Sequence, residues 1–405
     1  MNHTETDNTE KYEGFTVGLA LLDALPVLFF LFTGVVIYML WGSRLFLAGV
    51  AAATIGGASK VLWKLIVAAN GKDVEGLTKA FRVLMPAGFT MMLLSLVTGI
   101  VSDLISGDGS SGSRTLNGLL QGITMMPAAV FFAAGICGLC LMGWLGRHMD
   151  NSARSNWIEE ITNCLAQLAI LIGVIIVYFG MCYHADALAF DALTSTGSVT
   201  VTETEQMYFF DGPGTDTAII FYPGAKVEPE AYAPLMQMIA EGGVDCCLCS
   251  MPLNFALVDK GLADEIRAEI EGDNAPYASP DNEYEKWYLC GHSLGGVAAS
   301  MLAAEDKSYD WAGIIFLASY PEVGVEIPAL SIYGTEDKVL ASSDYSKAET
   351  KGYWPEIFTE KVIQGGNHAQ FGSYGAQKGD GQASITAAEQ QKQTSDEIIR
   401  WIENQ

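Results

Sequence analysis

Apolar positions along the chain fall into two regimes. Four stretches, 15–41, 83–105, 117–145 and 160–182, are long and nearly uncharged. Each meets the roughly 20 apolar residues that a helix needs to cross a hydrocarbon core about 30 Å thick. A fifth stretch, 45–69, is weaker because Lys60 and Lys64 fall in its second half. Those lysines are expected to snorkel toward an interface, with a re-entrant or interfacial segment as the alternative to a span. Asp23 and Asp103 read as isolated carboxylates near helix ends, without the intramembrane cluster that would argue for transport. The pattern predicts a membrane domain of about five helices over 15–182, preceded by a polar tail, 1–14.

From residue 207 the period shortens. Apolar runs at 207–211, 217–222, 244–250, 286–290, 313–318, 328–333 and 357–363 read as strands. Helical patterns fall between them near 229–241, 261–271, 294–305 and 344–351, and a last helix lies within 383–403. Strands that are apolar throughout and alternate with helices imply a mainly parallel sheet flanked by helices on both faces. The expected architecture is an α-helical transmembrane bundle followed by an α/β domain over 207–405. Residues 183–206 read as a short linker.

Charge sharpens this division. Residues 1–199 carry 10 Lys and Arg against 14 Asp and Glu, and residues 200–405 carry 12 against 33. So acidic a domain repels phosphate backbones, which argues against nucleic acid as a partner. The first 14 residues are polar and acidic, unlike a basic secretory n-region, so the first apolar run reads as a retained helix. Counted at the ends of five spans, Lys11, Lys60, Lys64, Lys72, Lys79, Arg82, Arg147 and Arg154 fall on one side, and Arg44 and Arg114 on the other. The positive-inside rule then places the N-terminus in the cytoplasm and the α/β domain outside it, provided that 45–69 spans. The eight cysteines lie on apolar helices and strands and read as small core residues rather than a disulfide or redox framework.

Candidate chemistry is confined to the second half. Gly291-His292-Ser293-Leu294-Gly295-Gly296 follows an apolar strand and precedes a helix rich in small residues. G-x-S-x-G in that setting forms a turn so tight that flanking side chains would clash, and it presents the serine at a helix N-terminus. Ser293 is therefore the candidate nucleophile. A serine hydroxyl needs a base to take its proton. Of the five histidines, His3, His148 and His184 lie in the tail or beside membrane segments, and His292 is next to Ser293 on the turn. His368, in a loop after the last strand, remains as the candidate base. The acid belongs after the preceding strand, in Gly334-Thr335-Glu336-Asp337-Lys338-Val339, where Asp337 is the choice and Glu336 the alternative. The backbone N–H groups of Leu294 and of Ala225, in Tyr222-Pro223-Gly224-Ala225, are candidate oxyanion donors.

On these motifs, together with Phe221–Ala225 and the run Gly365–Gly375, the second half resembles the α/β-hydrolase superfamily, and within it the group called α/β-hydrolase fold-5. The resemblance implies a Ser293–Asp337–His368 triad and hydrolysis of an ester, amide or similar bond without a cofactor. Relatives often carry His-Gly where this chain has Pro223-Gly224, which leaves a backbone donor in place. Lids in this fold usually follow the sixth strand. The short segment 319–327 has no room for one, so no cap domain is expected, and 251–285 is the candidate pocket wall. No resemblance covers 1–199.

The expected activity is that of a membrane-anchored serine hydrolase acting on a small-molecule or lipid-like acyl substrate, with no metal and the lipid bilayer as partner. An acyltransferase using the same residues, or a non-catalytic membrane sensor, is the alternative.

Overall fold

The structure, a computed structural model, describes residues 16–105, 114–150, 152–272, 283–305, 310–340 and 342–405. The polar tail 1–14, with Lys11, lies outside the described residues. The chain separates into two compact units, Met1–Met181 and Cys182–Gln405.

The first unit is helical. Among the described residues, five helices are long and apolar enough to cross a membrane: α1 (Val17–Trp41), α2 (Arg44–Asn70), α3 (Glu75–Ile105), α5 (Ala128–His148) and α6 (Ala153–Gly180). A short helix, α4 (Arg114–Thr124), stands between α3 and α5. Their outward faces are apolar, with Phe32, Val83, Leu93, Leu165 and Ile136 all more than half exposed, as expected of surfaces facing hydrocarbon. Close packing between α2 and α3 depends on glycine. A Cβ on Gly88 would lie 2.5 Å from the Gly49 carbonyl oxygen and 2.6 Å from the Ala53 nitrogen, the small-residue contact that lets membrane helices approach.

Two expectations are corrected here. The stretch 117–145 is not one helix. It breaks at Met125–Pro127 into amphipathic α4 and the longer, apolar α5, because Pro127 has no N–H for a helical bond and disfavours helical backbone before it. Nor does Lys64 snorkel. It is buried, with Nζ 2.9 Å from Asp23 Oδ2 on α1 and 2.5 Å from Glu160 Oε1 on α6. The more exposed Lys60 lies 3.6 Å from Asp23 and 3.8 Å from Glu160. Asp23 is thus not isolated: two carboxylates and two ammonium groups from three helices form one charge-balanced cluster, which is how charge is tolerated away from water.

The second unit is an eight-stranded sheet in the order β1-β2-β4-β3-β5-β6-β7-β8. The strands are β1 (Thr200–Glu203), β2 (Met207–Asp211), β3 (Thr217–Tyr222), β4 (Asp245–Cys249), β5 (Lys286–His292), β6 (Gly313–Leu317), β7 (Ala329–Gly334) and β8 (Phe358–Ile363). β1 and β2 pair antiparallel at one edge, and every pairing from β4 through β8 is parallel. β3 shows why the sheet is covered on both faces. Ile219 and Phe221 enter one core with α8 (Ala233–Glu241) and α12 (Ala387–Glu403), while Ala218, Ile220 and Tyr222 enter the other with α9 (Leu262–Glu271) and α10 (Leu294–Glu305). Alternation along the strand divides the side chains between faces, and each large apolar side chain so buried contributes about 1.5–3 kcal/mol. Segment 183–206, read above as a linker, folds with this unit. It holds a short helix, α7 (Ala187–Asp191), and the edge strand β1. A further helix, α11 (Ser342–Thr350), lies between β7 and β8. Residues 318–328, between β6 and β7, contain no helix or strand, so no cap domain is inserted there.

Candidate active site

The turn from β5 into α10 is shaped by close backbone approach. Ser293 has φ +52, a left-handed conformation costly for a residue with a Cβ. Its N–H donates to the Leu317 carbonyl at the end of β6 (2.9 Å). Its carbonyl accepts from the Gly296 N–H (3.1 Å) and from the Ser319 hydroxyl (2.6 Å). A Cβ on Gly291 would fall 2.4 Å from the backbone of Gly295 and Gly296, and one on Gly295 would fall 2.1 Å from the Tyr222 carbonyl oxygen. The glycines on either side of the serine are therefore required by sterics. Ala318, after β6, and Lys226, after β3, also have positive φ (+46 and +61). Strain thus gathers at the carboxyl ends of β3, β5 and β6, where open α/β sheets bind ligands.

Two loops at the same edge bring an acid and an imidazole together. Gly334 ends β7, and a Cβ there would meet the Gly366 carbonyl oxygen at 2.1 Å, so the loops after β7 and β8 pack backbone to backbone. The Glu336 N–H donates to the Gly366 carbonyl (2.8 Å). Asp337 Oδ1 accepts from the N–H groups of Val339 and Leu340, both at 2.8 Å, and Oδ2 lies 2.9 Å from His368 Nδ1. Both side chains are almost fully buried. Glu336, the alternative acid, instead accepts from the Thr335 hydroxyl (3.4 Å). The bond to Asp337 places the His368 proton on Nδ1 and leaves Nε2 as the free base. Nε2 is buried and has no hydrogen-bond partner among the described residues, so the Ser293 hydroxyl is not bonded to it here. Ser293 itself is half-buried.

Sequence reasoning missed the groups that hold these loops. Asp380 accepts from the Ala369 N–H (2.9 Å) through one oxygen and from the Lys338 N–H (3.3 Å) through the other, joining the loop of His368 to that of Asp337. Gln390 of α12 accepts from the Asn367 N–H (3.0 Å) and donates to the Asn367 carbonyl (2.8 Å). Gly379-Asp380-Gly381 is a turn signal in sequence, but nothing there gives its target. His292 has its ring in the interior. It is buried against Tyr232, Phe371 and the His368 ring, and burial holds its basicity well below the usual imidazole range. The first candidate oxyanion residue, Leu294, opens α10. The second, Ala225, sits in a turn closed by Val227 N–H to Gly224 O (3.2 Å). Among the described residues no group of three His, Cys, Asp or Glu side chains is arranged to hold a metal ion.

A serine on a strained strand-to-helix turn, an imidazole–carboxylate pair on the loops after the last two strands, and a mainly parallel sheet between helical layers define an α/β-hydrolase fold. Residues 218–392 match the model of the alpha/beta hydrolase family, and the second unit is an α/β-hydrolase domain of hydrolytic type. Among solved structures, TT1662 from Thermus thermophilus aligns with 15% sequence identity, covering 51% of this chain and 98% of that chain, at a TM-score of 0.36. No curated protein matches the chain.

Proposed function

We propose that the chain is a membrane-anchored serine hydrolase that cleaves an ester or similar acyl bond through Ser293, His368 and Asp337. The observation that carries this reading is the 2.9 Å contact between His368 Nδ1 and Asp337 Oδ2, at the sheet edge where Ser293 stands at φ +52. Nε2 of His368 takes the Ser293 proton as Oγ attacks the substrate carbonyl. The imidazolium so formed is stabilised by the Asp337 carboxylate. The N–H groups of Leu294 and Ala225 receive the developing oxyanion. His368 returns the proton to the leaving group, and the acyl group stays on Ser293. Water then enters and attacks the acyl carbon as His368 takes its proton, and the second tetrahedral intermediate collapses, with His368 returning that proton to Ser293 Oγ, to free the acid and restore the serine. In unliganded sites the serine–imidazole bond is often long and closes on substrate binding, which accords with the unpaired Nε2. The eleven uncapped residues 318–328 favour a substrate that enters freely, small or lipid-like. The excess of Lys and Arg on one set of helix connections favours an extracytoplasmic domain on a five-span anchor.

The test is labelling of the full-length protein in detergent with a fluorescent fluorophosphonate at neutral pH. Labelling of the wild type, abolished in Ser293→Ala, is expected. A folded wild type that resists the probe, or a Ser293→Ala protein that still labels, overturns the proposal.

A further inference from the structure

A buried hydrogen-bond chain runs behind the site and touches both of its halves. The Gly224 N–H donates to the Tyr232 hydroxyl oxygen (3.1 Å). That hydroxyl lies 2.7 Å from His292 Nδ1, and His292 Nε2 lies 3.1 Å from the backbone carbonyl of His368. The protons can be assigned from one end. A carbonyl only accepts, so Nε2 of His292 carries the proton, and Nδ1 offers its lone pair to the Tyr232 O–H. The Tyr232 oxygen is then free to accept from Gly224. Each donor meets one acceptor, and the chain has one direction only. Tyr232 and His292 are both buried.

We propose that Tyr232 and His292 are positioning residues, which set the oxyanion loop at Gly224-Ala225 and the base loop at His368 in register with Ser293. The inference rests on the hydrolase reading above. Three loops meet on these two side chains. His292 belongs to the serine turn, Gly224 precedes the candidate oxyanion donor, and the accepting carbonyl belongs to the residue whose side chain is the base. The loops are in contact by other routes too. A Cβ on Gly224 would lie 2.8 Å from His292 Nδ1, and the Ser373 N–H donates to the Ala231 carbonyl (2.7 Å) beside Tyr232. His292 serves only as a neutral ring, and its burial and the neighbouring His368 both disfavour a charge on it. Protonated, Nδ1 would turn donor, and the Tyr232 hydrogen would lose its acceptor. The hydrogen bonds of these two side chains run to each other and to backbone groups. Their effect is on where the Ala225 N–H and the His368 ring sit, and misplacement by about 1 Å is enough to lower turnover about a hundredfold.

The experiment compares full-length wild type, Tyr232→Phe, His292→Gln and His292→Leu in detergent. Rates are measured on p-nitrophenyl butyrate and corrected to the number of sites that a fluorophosphonate titrates. Butylboronic acid, which forms a tetrahedral adduct with an active serine, reports oxyanion binding. Tyr232→Phe is expected to lower kcat by about 10- to 100-fold with KM within about threefold, and to weaken the boronic acid in parallel with kcat/KM. His292→Gln, which keeps an N–H for the His368 carbonyl, is expected to retain more activity than His292→Leu. Per-site kcat and boronic acid affinity of Tyr232→Phe within twofold of wild type overturn the inference, whatever the melting temperature does. If Tyr232→Phe does not fold, a per-site kcat of His292→Leu within twofold of wild type overturns it. A wild type inert to all three reagents overturns the hydrolase reading and this inference together, whereas a reactive wild type matched by its variants overturns only this one.

Discussion

Asp337→Asn isolates the electrostatic part of the proposed mechanism, because the structure dictates how the amide must sit. One Asp337 oxygen accepts two backbone N–H groups, from Val339 and Leu340, each at 2.8 Å. An asparagine must keep its carbonyl oxygen there, since its NH2 would meet two donors. The NH2 is then directed at His368 Nδ1, which is 2.9 Å from the other oxygen. An amide NH2 only donates, so Nδ1 becomes an acceptor and the ring proton moves to Nε2. A protonated Nε2 cannot take a proton from Ser293, and the imidazolium loses its carboxylate. Loss of base function through the wrong tautomer corresponds to about 10⁴ in kcat in the serine-protease template, or about 5.5 kcal/mol of barrier. Volume and both backbone bonds are preserved, so little change in melting temperature is expected. The assay is pre-steady-state acylation by p-nitrophenyl butyrate, with sites titrated by fluorophosphonate after long incubation. A fall in acylation of less than tenfold in a normally folded protein would refute the assigned role of Asp337.

Three further outcomes follow from features away from His368. Asp245, buried at the start of β4, accepts from the Tyr284 hydroxyl (2.5 Å) and the Gly212 N–H (2.7 Å), and burial, reinforced by Asp211, pushes its carboxyl up to about 7. The folded state therefore holds a proton that an unfolded carboxyl, near 3.8, releases. Its stabilising contribution is full below about pH 4 and is lost as pH rises toward 7. Asp245→Asn should flatten the decline in melting temperature between pH 5 and pH 8, and parallel curves for the two proteins would contradict this. Gly295→Ala drives a Cβ into the Tyr222 carbonyl and should destabilise the second unit by about 1–3 kcal/mol, read as a lower melting temperature with activity loss. An unchanged melt would mean that the turn yields more easily than its contacts suggest. Lys64→Met leaves Asp23 and Glu160 facing only Lys60 and should cost about 3–5 kcal/mol. Adding Glu160→Gln, which leaves Asp23 and Lys60 as a balanced pair, should recover most of it, as measured by thermal unfolding in detergent, and no recovery would show that the charges are not coupled.

What was legible in the sequence was whatever a local rule dictates. The turn around Ser293 could be read because its glycines answer to sterics within a few residues, and His368 stands out as a candidate because the chain has so few histidines to choose from. The strands of the parallel sheet announced themselves as short apolar runs, since both faces are covered. Several of the remaining features depend on partners distant in sequence. Lys64 looked like an interfacial lysine because its counter-charges lie on two other helices. Nothing local marks Tyr232 or Asp380, because their hydrogen bonds go to loops far along the chain. β1 was hidden in a mixed polar stretch, Thr200–Glu203, that is a strand only because β2 offers it an edge. The break at Pro127 was a local signal overlooked beneath the hydropathy of the residues around it.

The ion cluster among α1, α2 and α6 has a consequence for biogenesis. Glu160 lies 96 residues beyond Lys64. A ribosome adding roughly 5–20 residues per second takes on the order of 5–20 s to reach it. Throughout that interval the nascent α1–α2 hairpin carries two ammonium groups against one carboxylate. For the anchor proposed here, the early hairpin has a reason to remain near water or an insertion partner until α6 arrives, so lateral release into lipid would be timed by synthesis of the last span.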